Sequence, residues 1–101
     1  MKFNKYLQIN EAKDKKIIDF FNDYLMMSDF AASDVKNITL KSKSKGSLDN
    51  FIILFKDSLF NKKVPVTARE IVKNTKVSMV AFVQYLKSKG ANISAVPDTF
   101  K

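Results

Sequence analysis

Apolar residues recur at helical spacing in four segments of this chain, which predicts four α-helices, A to D. Helix A is expected over residues 12–27, with an apolar face made of Ile17, Phe20, Phe21, Tyr24 and Leu25. Helix B is expected from Ser47 to about Phe60. Its apolar residues follow the i, i+3, i+4, i+7, i+11 spacing of a core-facing stripe: Leu48, Phe51, Ile52, Phe55 and Leu59.

Capping signals set the bounds of helices C and D. Thr67 and Glu70 have the T-x-x-E spacing of a capping box, in which each side chain bonds the other residue's backbone N–H. Residues 74–76 are expected to form a turn. Helix D then begins with Ser78 as its N-cap and ends before Gly90, a residue suited to the position after a helix end.

The other segments predict turns and a small amount of strand. A β-branched, apolar segment at 36–42 predicts a short strand, and residues 91–96 predict a final strand that stops at Pro97. Pro65 disfavours helix at the preceding residue and so makes 61–66 an extended connector. A helix end and turn are expected at 28–34, and an exposed loop at 41–47.

Composition excludes several classes of chemistry. The chain of 101 residues has no cysteine and no histidine, so it lacks thiolate chemistry, disulfides and the commonest zinc ligand. Gly46 and Gly90 are its only glycines, too few for a phosphate-binding loop. We therefore expect no catalytic residue, metal or cofactor, and no enzyme. The apolar runs at 51–55 and 78–83 are too short to span a bilayer, so no membrane partner is expected.

Positive charge is concentrated in the C-terminal two thirds of the chain, whose net charge overall is +8. Residues 1–35 carry five lysines and six acidic residues, whereas residues 36–101 carry thirteen basic and four acidic residues. Such a field attracts polyanions, and the attraction weakens with salt. An alternative is that a lysine-rich composition only reflects an AT-rich genome, since arginine, the preferred phosphate ligand, occurs once.

The sequence from Ile71 to Leu86, IVKNTKVSMVAFVQYL, resembles the helix-turn-helix family. Lys76 stands at the turn position where that family usually has glycine and where φ is often positive. The order helix B, strand, helix C, helix D, strand resembles a winged-helix domain with a truncated wing. The fold implied is mainly α with a small β component, with a helix-turn-helix unit at 67–90 and helix A as an N-terminal addition. The family's usual apolar and serine positions are matched by Ile71, Val77, Ser78, Phe82 or Val83, and Leu86.

The resemblance implies DNA binding, and the side chains indicate phosphate contacts of low sequence specificity. The first half of helix D is Ser78-Met79-Val80-Ala81, which offers no base-reading side chain. In the whole helix, only Gln84 suits a bidentate contact with adenine. Lysines near both helices would contact phosphates, and those of the 41–47 loop would add a mobile basic arm. The predicted DNA-contacting residues are Lys62, Lys63, Lys73, Lys76, Ser78, Gln84, Lys87 and Lys89, together with Lys41, Lys43 and Lys45.

Two alternatives remain open at this point. Helices B, C and D could form no more than a small three-helix core. The same scaffold could also serve as a protein–protein interaction module that inhibits or recruits a host or virion protein. Exposed Met79 and Val80 would favour the interaction module, whereas a continuous lysine face would favour DNA.

The N-terminal segment carries a second resemblance. Ile9-Asn10-Glu11-Ala12 matches a pattern of Ile or Leu, any residue, Glu, and then Ala or Gly. This pattern resembles the prohead-protease sites of T-even-like tailed phages. It implies a leader at 1–11, cleavage between Glu11 and Ala12, and a single helical domain over 12–101. It also implies phage origin and a location in the host cytoplasm or the virion interior. The alternative is an ordinary segment in which Asn10 caps helix A.

Overall fold

In a computed structural model, which describes residues 13–42, 50–56 and 61–101, the protein forms an α/β fold around a four-stranded sheet. The strands are β1 (Ile38–Ser42), β2 (Asn50–Phe55), β3 (Lys63–Thr67) and β4 (Asn92–Ala95). The helices are α1 (residues 13–19), α2 (Ala68–Thr75) and α3 (Met79–Ser88). A π-helical turn, Phe20–Tyr24, continues α1, and 3₁₀ helices lie at Ala32–Asn37 and Asp98–Phe100.

The sheet is mixed, with the strand order β3-β2-β1-β4. β2 runs antiparallel to both of its neighbours, and β1 runs parallel to β4. The connection from β3 to β4 passes through α2 and α3, so this helix pair joins the two outer strands of the sheet.

The hydrophobic core lies between one face of the sheet and the helices. Ile38 pairs with Phe55 and Leu40 with Ile53, so apolar side chains of β1 and β2 share the face that belongs to the core. The ring of Phe21, in the π turn, lies 6.0 Å from Phe55 on the sheet and 6.1 Å from Phe82 on α3. Aromatic packing therefore ties α1, α3 and the sheet together.

The prediction of a mainly α, winged-helix-like fold with a small β component is wrong. Among the described residues about 50% are helical and 26% lie in strands of the mixed sheet. The error lies in helix B, whose described part is mainly β2, one of the two inner strands of the sheet. Four of the residues in this apolar run are buried: Phe51, Ile52, Ile53 and Phe55. The spacing of its apolar residues fits both the core-facing side of a helix and a strand that is buried on both faces. Leu48 and Leu59 lie outside the described residues.

Several other predicted elements are present. Helices A, C and D correspond to α1, α2 and α3, and the strands expected at 36–42 and 91–96 are β1 and β4. The connector at 61–66 is extended as expected, but it also pairs with β2 as strand β3. Helix A ends earlier than predicted, after the π turn, and the side chain of Tyr24 is 43% exposed instead of lying in the core.

Candidate nucleic-acid interface

The two helices that resemble a helix-turn-helix unit are held by local hydrogen bonds. Thr67 Oγ1 accepts the backbone N–H of Glu70 at 3.0 Å, and Ser78 Oγ accepts that of Ala81 at 3.1 Å. At the end of α2, buried Thr75 donates its hydroxyl to Ile71 O at 2.6 Å. The bonds of Thr67 and Ser78 are N-caps, so α2 and α3 begin at the predicted residues.

The capping box predicted for α2 is only half formed. Glu70 does not return a bond to Thr67; its Oε2 accepts the hydroxyl of Tyr24 at 3.0 Å. This hydrogen bond is the main reason that the pKa of Tyr24 is raised, with burial and the negative charge of Glu70 as smaller causes. Tyr24 thereby joins the π turn to α2.

The exposed face of α3 offers few groups to a ligand. Met79 is 5% exposed and belongs to the core, so it is not available for contact with a partner, whereas Val80 is 38% exposed. Ser78, at the N-cap, is exposed. The other exposed polar side chains predicted on this helix are Gln84 and Lys87.

α1 lies alongside this face of α3. An open cleft of about 270 Å³ separates the two helices, lined by Lys13, Asp14 and Ile17 from α1 and by Ala81, Gln84, Tyr85 and Ser88 from α3. Burial raises the pKa of Tyr85 to about 12, and the negative charge of Asp14 adds to the effect. An acidic side chain therefore lies in the same cleft as the residue expected to read a base.

The predicted DNA-contacting lysines do not form one continuous face. One group lies at a single end of the sheet. A second group lies along α2. Its lysines, Lys73 and Lys76, form an exposed stripe with Arg69 at i, i+4, i+7 spacing. A third is Lys41, near the opposite end of β1 and half-buried, about 10 Å along the strand from Ile38. Lys43 and Lys45, like Glu11 and Ala12, lie outside the described residues.

The first group follows from the register of the strands. β1 begins where β2 ends, because Ile38 pairs with Phe55 and the N–H of Lys56 donates to Asn37 O at 2.9 Å. β3 begins at the same end, because Leu54 pairs with Lys63. β4 also begins there, because it is parallel to β1. We call the five exposed lysines that flank these strand ends the strand-end lysine row: Lys36, Lys56, Lys63, Lys87 and Lys89.

One contact brings together the segments that carry Lys36 and Lys89. A Cβ atom built on Gly90 would lie 3.5 Å from Lys36 Cβ, so the turn after α3 touches the segment before β1. Lys89 Nζ lies 5.8 Å from the ring centroid of Tyr85, within the range of a cation–π interaction. Lys62, although adjacent in sequence, is already bound within the protein, because its Nζ donates to Leu25 O at 2.8 Å.

Sequence reasoning missed Arg69, Lys36 and Lys56 as candidate contacts. Arg69 could have been found from its i, i+4 spacing to Lys73 on helix C. Lys36 and Lys56 become neighbours only because β1 pairs with β2. A helix over residues 51–55, as predicted from the sequence, would not form that pairing.

Few acidic groups offset this charge locally. Among the described residues, the single ion pair joins Lys101 to Asp98 at 3.7 Å, and it is exposed.

The described part of the chain contains no group of His, Cys, Asp or Glu that could hold a metal ion. No helix in the same part is long and apolar enough to cross a bilayer.

Comparison of the chain with protein-family models, with curated proteins and with solved structures finds no match.

Proposed function

We propose that this is a small, basic, non-enzymatic DNA-associated protein that binds DNA mainly through its phosphates, with little sequence preference. The proposal includes a phage origin and a site of action in the host cytoplasm or the virion interior. The two resemblances in the sequence motivate the phage context and the nucleic-acid partner.

The observation that carries the proposal is the positive charge of residues 36–101, most of whose described basic side chains have no ion-pair partner. Their net charge is +9, and the described lysines are exposed or half-buried, with one ion pair among all described residues. Surface lysines without acidic partners keep their charge available to a polyanion and release counterions when they bind one. Few base-reading side chains accompany them, since Gln84 is the only exposed amide on α3.

The test is a titration of the full chain with random duplex DNA at several salt concentrations. The logarithm of the binding constant should fall linearly with the logarithm of salt concentration, with a slope of about −0.9 for each phosphate neutralised. Duplexes of different sequence but equal length should bind within a few fold of one another. Absence of binding at low salt, or binding that does not change with salt, would exclude the proposal.

A protein–protein interaction module is the second candidate. The argument from Met79 no longer supports it, because that side chain is in the core, but exposed Val80 still does, and so does Met26. Met26 is 82% exposed on backbone with φ of 55°, two residues after Tyr24, which is 43% exposed. Backbone strain at an exposed apolar residue is the reason to test this region as a contact site. A chain that fails to bind DNA at low salt would favour this second function.

A further inference from the structure

We propose that the DNA backbone lies across the strand-end lysine row, and that α3 does not enter the major groove as a recognition helix. This inference rests on the proposed DNA association and assigns it a surface. It departs from the helix-turn-helix expectation, in which α3 would make the central contacts.

The row has dimensions suited to a phosphate backbone. Its lysines adjoin the strands in the order of the sheet. Lys63 begins β3, Lys56 follows β2 and Lys36 precedes β1, while Lys87, in the last turn of α3, and Lys89 precede β4. Neighbouring strands are about 4.8 Å apart, so the outer strands are separated by roughly 14 Å. Duplex DNA carries one charge per about 1.7 Å of its axis, so several phosphates lie within reach of such a row.

Among the described residues, the acidic residues of the segment before β1 form no ion pair with the row. The segment that leads into β1 carries Asp29 and Asp34, and neither forms an ion pair with a described lysine. Asp34 Oδ2 instead accepts the backbone N–H of Ala31 at 2.8 Å. Asp57 follows Lys56 but lies outside the described residues.

The surroundings of α3 oppose its use as a recognition helix. The major groove, about 12 Å wide, admits one helix, and a helix with its side chains is already about 10–12 Å across. Here α1 lines a cleft with Ala81 and Gln84, on the face that would have to enter the groove. The cleft contains Asp14 beside Lys13, so its charges balance and it offers phosphates no net attraction.

The experiment compares two charge-reversed variants of the full chain. The double variant Lys36→Glu/Lys56→Glu alters the row at two exposed residues that lie outside α3 and outside the strands. The matched control is Lys15→Glu/Lys16→Glu, on exposed residues of α1, which gives the same change in net charge, from +8 to +4. Circular dichroism verifies that each variant is folded, and Lys36→Gln/Lys56→Gln is the milder substitute if the first does not fold.

At the same salt concentration, the row variant should lose at least ten times more affinity for duplex DNA than the control. Its salt slope should fall in magnitude by about 1.8, since two phosphate contacts are lost, whereas the control's slope should not change. A third variant, Gln84→Ala, should bind within twofold of the unsubstituted chain.

Three outcomes separate the hypotheses. Equal losses in the row variant and the α1 control would show that only overall charge matters, and would overturn the assignment of a surface. A larger loss from Gln84→Ala than from the row variant would return the contact to α3. If the unsubstituted chain does not bind DNA at all, the proposed function itself fails, independently of the row.

Discussion

Lys76 shows how a single residue can both match and depart from a familiar pattern. It closes α2 with φ of 63° and ψ of 21°, in the left-handed region, and its N–H donates to Val72 O at 2.9 Å. The sequence predicted this conformation, because Lys76 stands where a helix-turn-helix turn usually has glycine. A side chain there brings Cβ close to the following carbonyl oxygen, at a cost of about 1–2 kcal/mol.

Replacement of Lys76 by glycine should therefore stabilise the protein. The relief of strain is offset by the greater freedom of glycine in the unfolded chain, about 0.5–1 kcal/mol, so a net gain of about 0.5–1 kcal/mol is expected. Urea denaturation of Lys76→Gly measures it. Lys76→Ala is the matched control, because it removes the same charge and keeps the strained Cβ. An equal gain in both variants would mean that charge repulsion, not backbone strain, is being relieved.

At the scale of elements, local signals in the sequence were sufficient for the helices and insufficient for the sheet. Thr67, Ser78 and Gly90 mark ends of α2 and α3 through bonds to residues a few positions away, and those ends lie where they were predicted. The apolar run 51–55 contains no such signal. Its conformation depends on β1 and β3, which pair with it from both sides. The paired residues of β1 lie from 9 positions away (Ser42 with Phe51) to 17 positions away (Ile38 with Phe55).

The start of α2 makes a sharp test of this local control. Thr67→Ala removes the acceptor for the Glu70 N–H and should lower the free energy of unfolding by about 1 kcal/mol. Thr67 is also the last residue of β3, so Thr67→Ser serves as the control that keeps the hydroxyl and loses β-branching. The denaturation midpoint should fall for alanine and change little for serine. If both variants fall equally, the strand rather than the cap depends on this residue.

At the scale of the whole molecule, the sequence located the positive charge in residues 36–101 but could not show which lysines share a surface. The strand register places Lys41 at the opposite end of the sheet from Lys63, Lys87 and Lys89. It brings Lys36 and Lys56 to the same end as those three lysines. Periodicity within one element contains no information about such neighbours, because they come from segments that adjoin four different strands. The candidate interface could therefore be predicted as basic, but not as a row.

The distribution of charge also leads to a prediction for the N-terminal segment, whose residues 1–12 lie outside the described part. Cleavage after Glu11 would remove Lys2, Lys5 and Glu11 and change the net charge only from +8 to +7. No residue of the strand-end lysine row would be lost, so the chain 12–101 should bind duplex DNA with the same salt slope as the full chain. Such a segment would serve delivery of the protein and not its binding.

Two measurements test this prediction together. The intact mass of the protein recovered from phage particles should correspond to a chain that begins at Ala12, and the Glu11→Ala variant should remain uncut. The DNA affinity of the recovered protein should lie within about twofold of that of the uncut variant, since their charges differ by so little. Retention of Met1 in particles would exclude processing. A processed chain with a clearly smaller salt slope would instead show that Lys2 and Lys5 contact phosphates, and the segment would then belong to the interface.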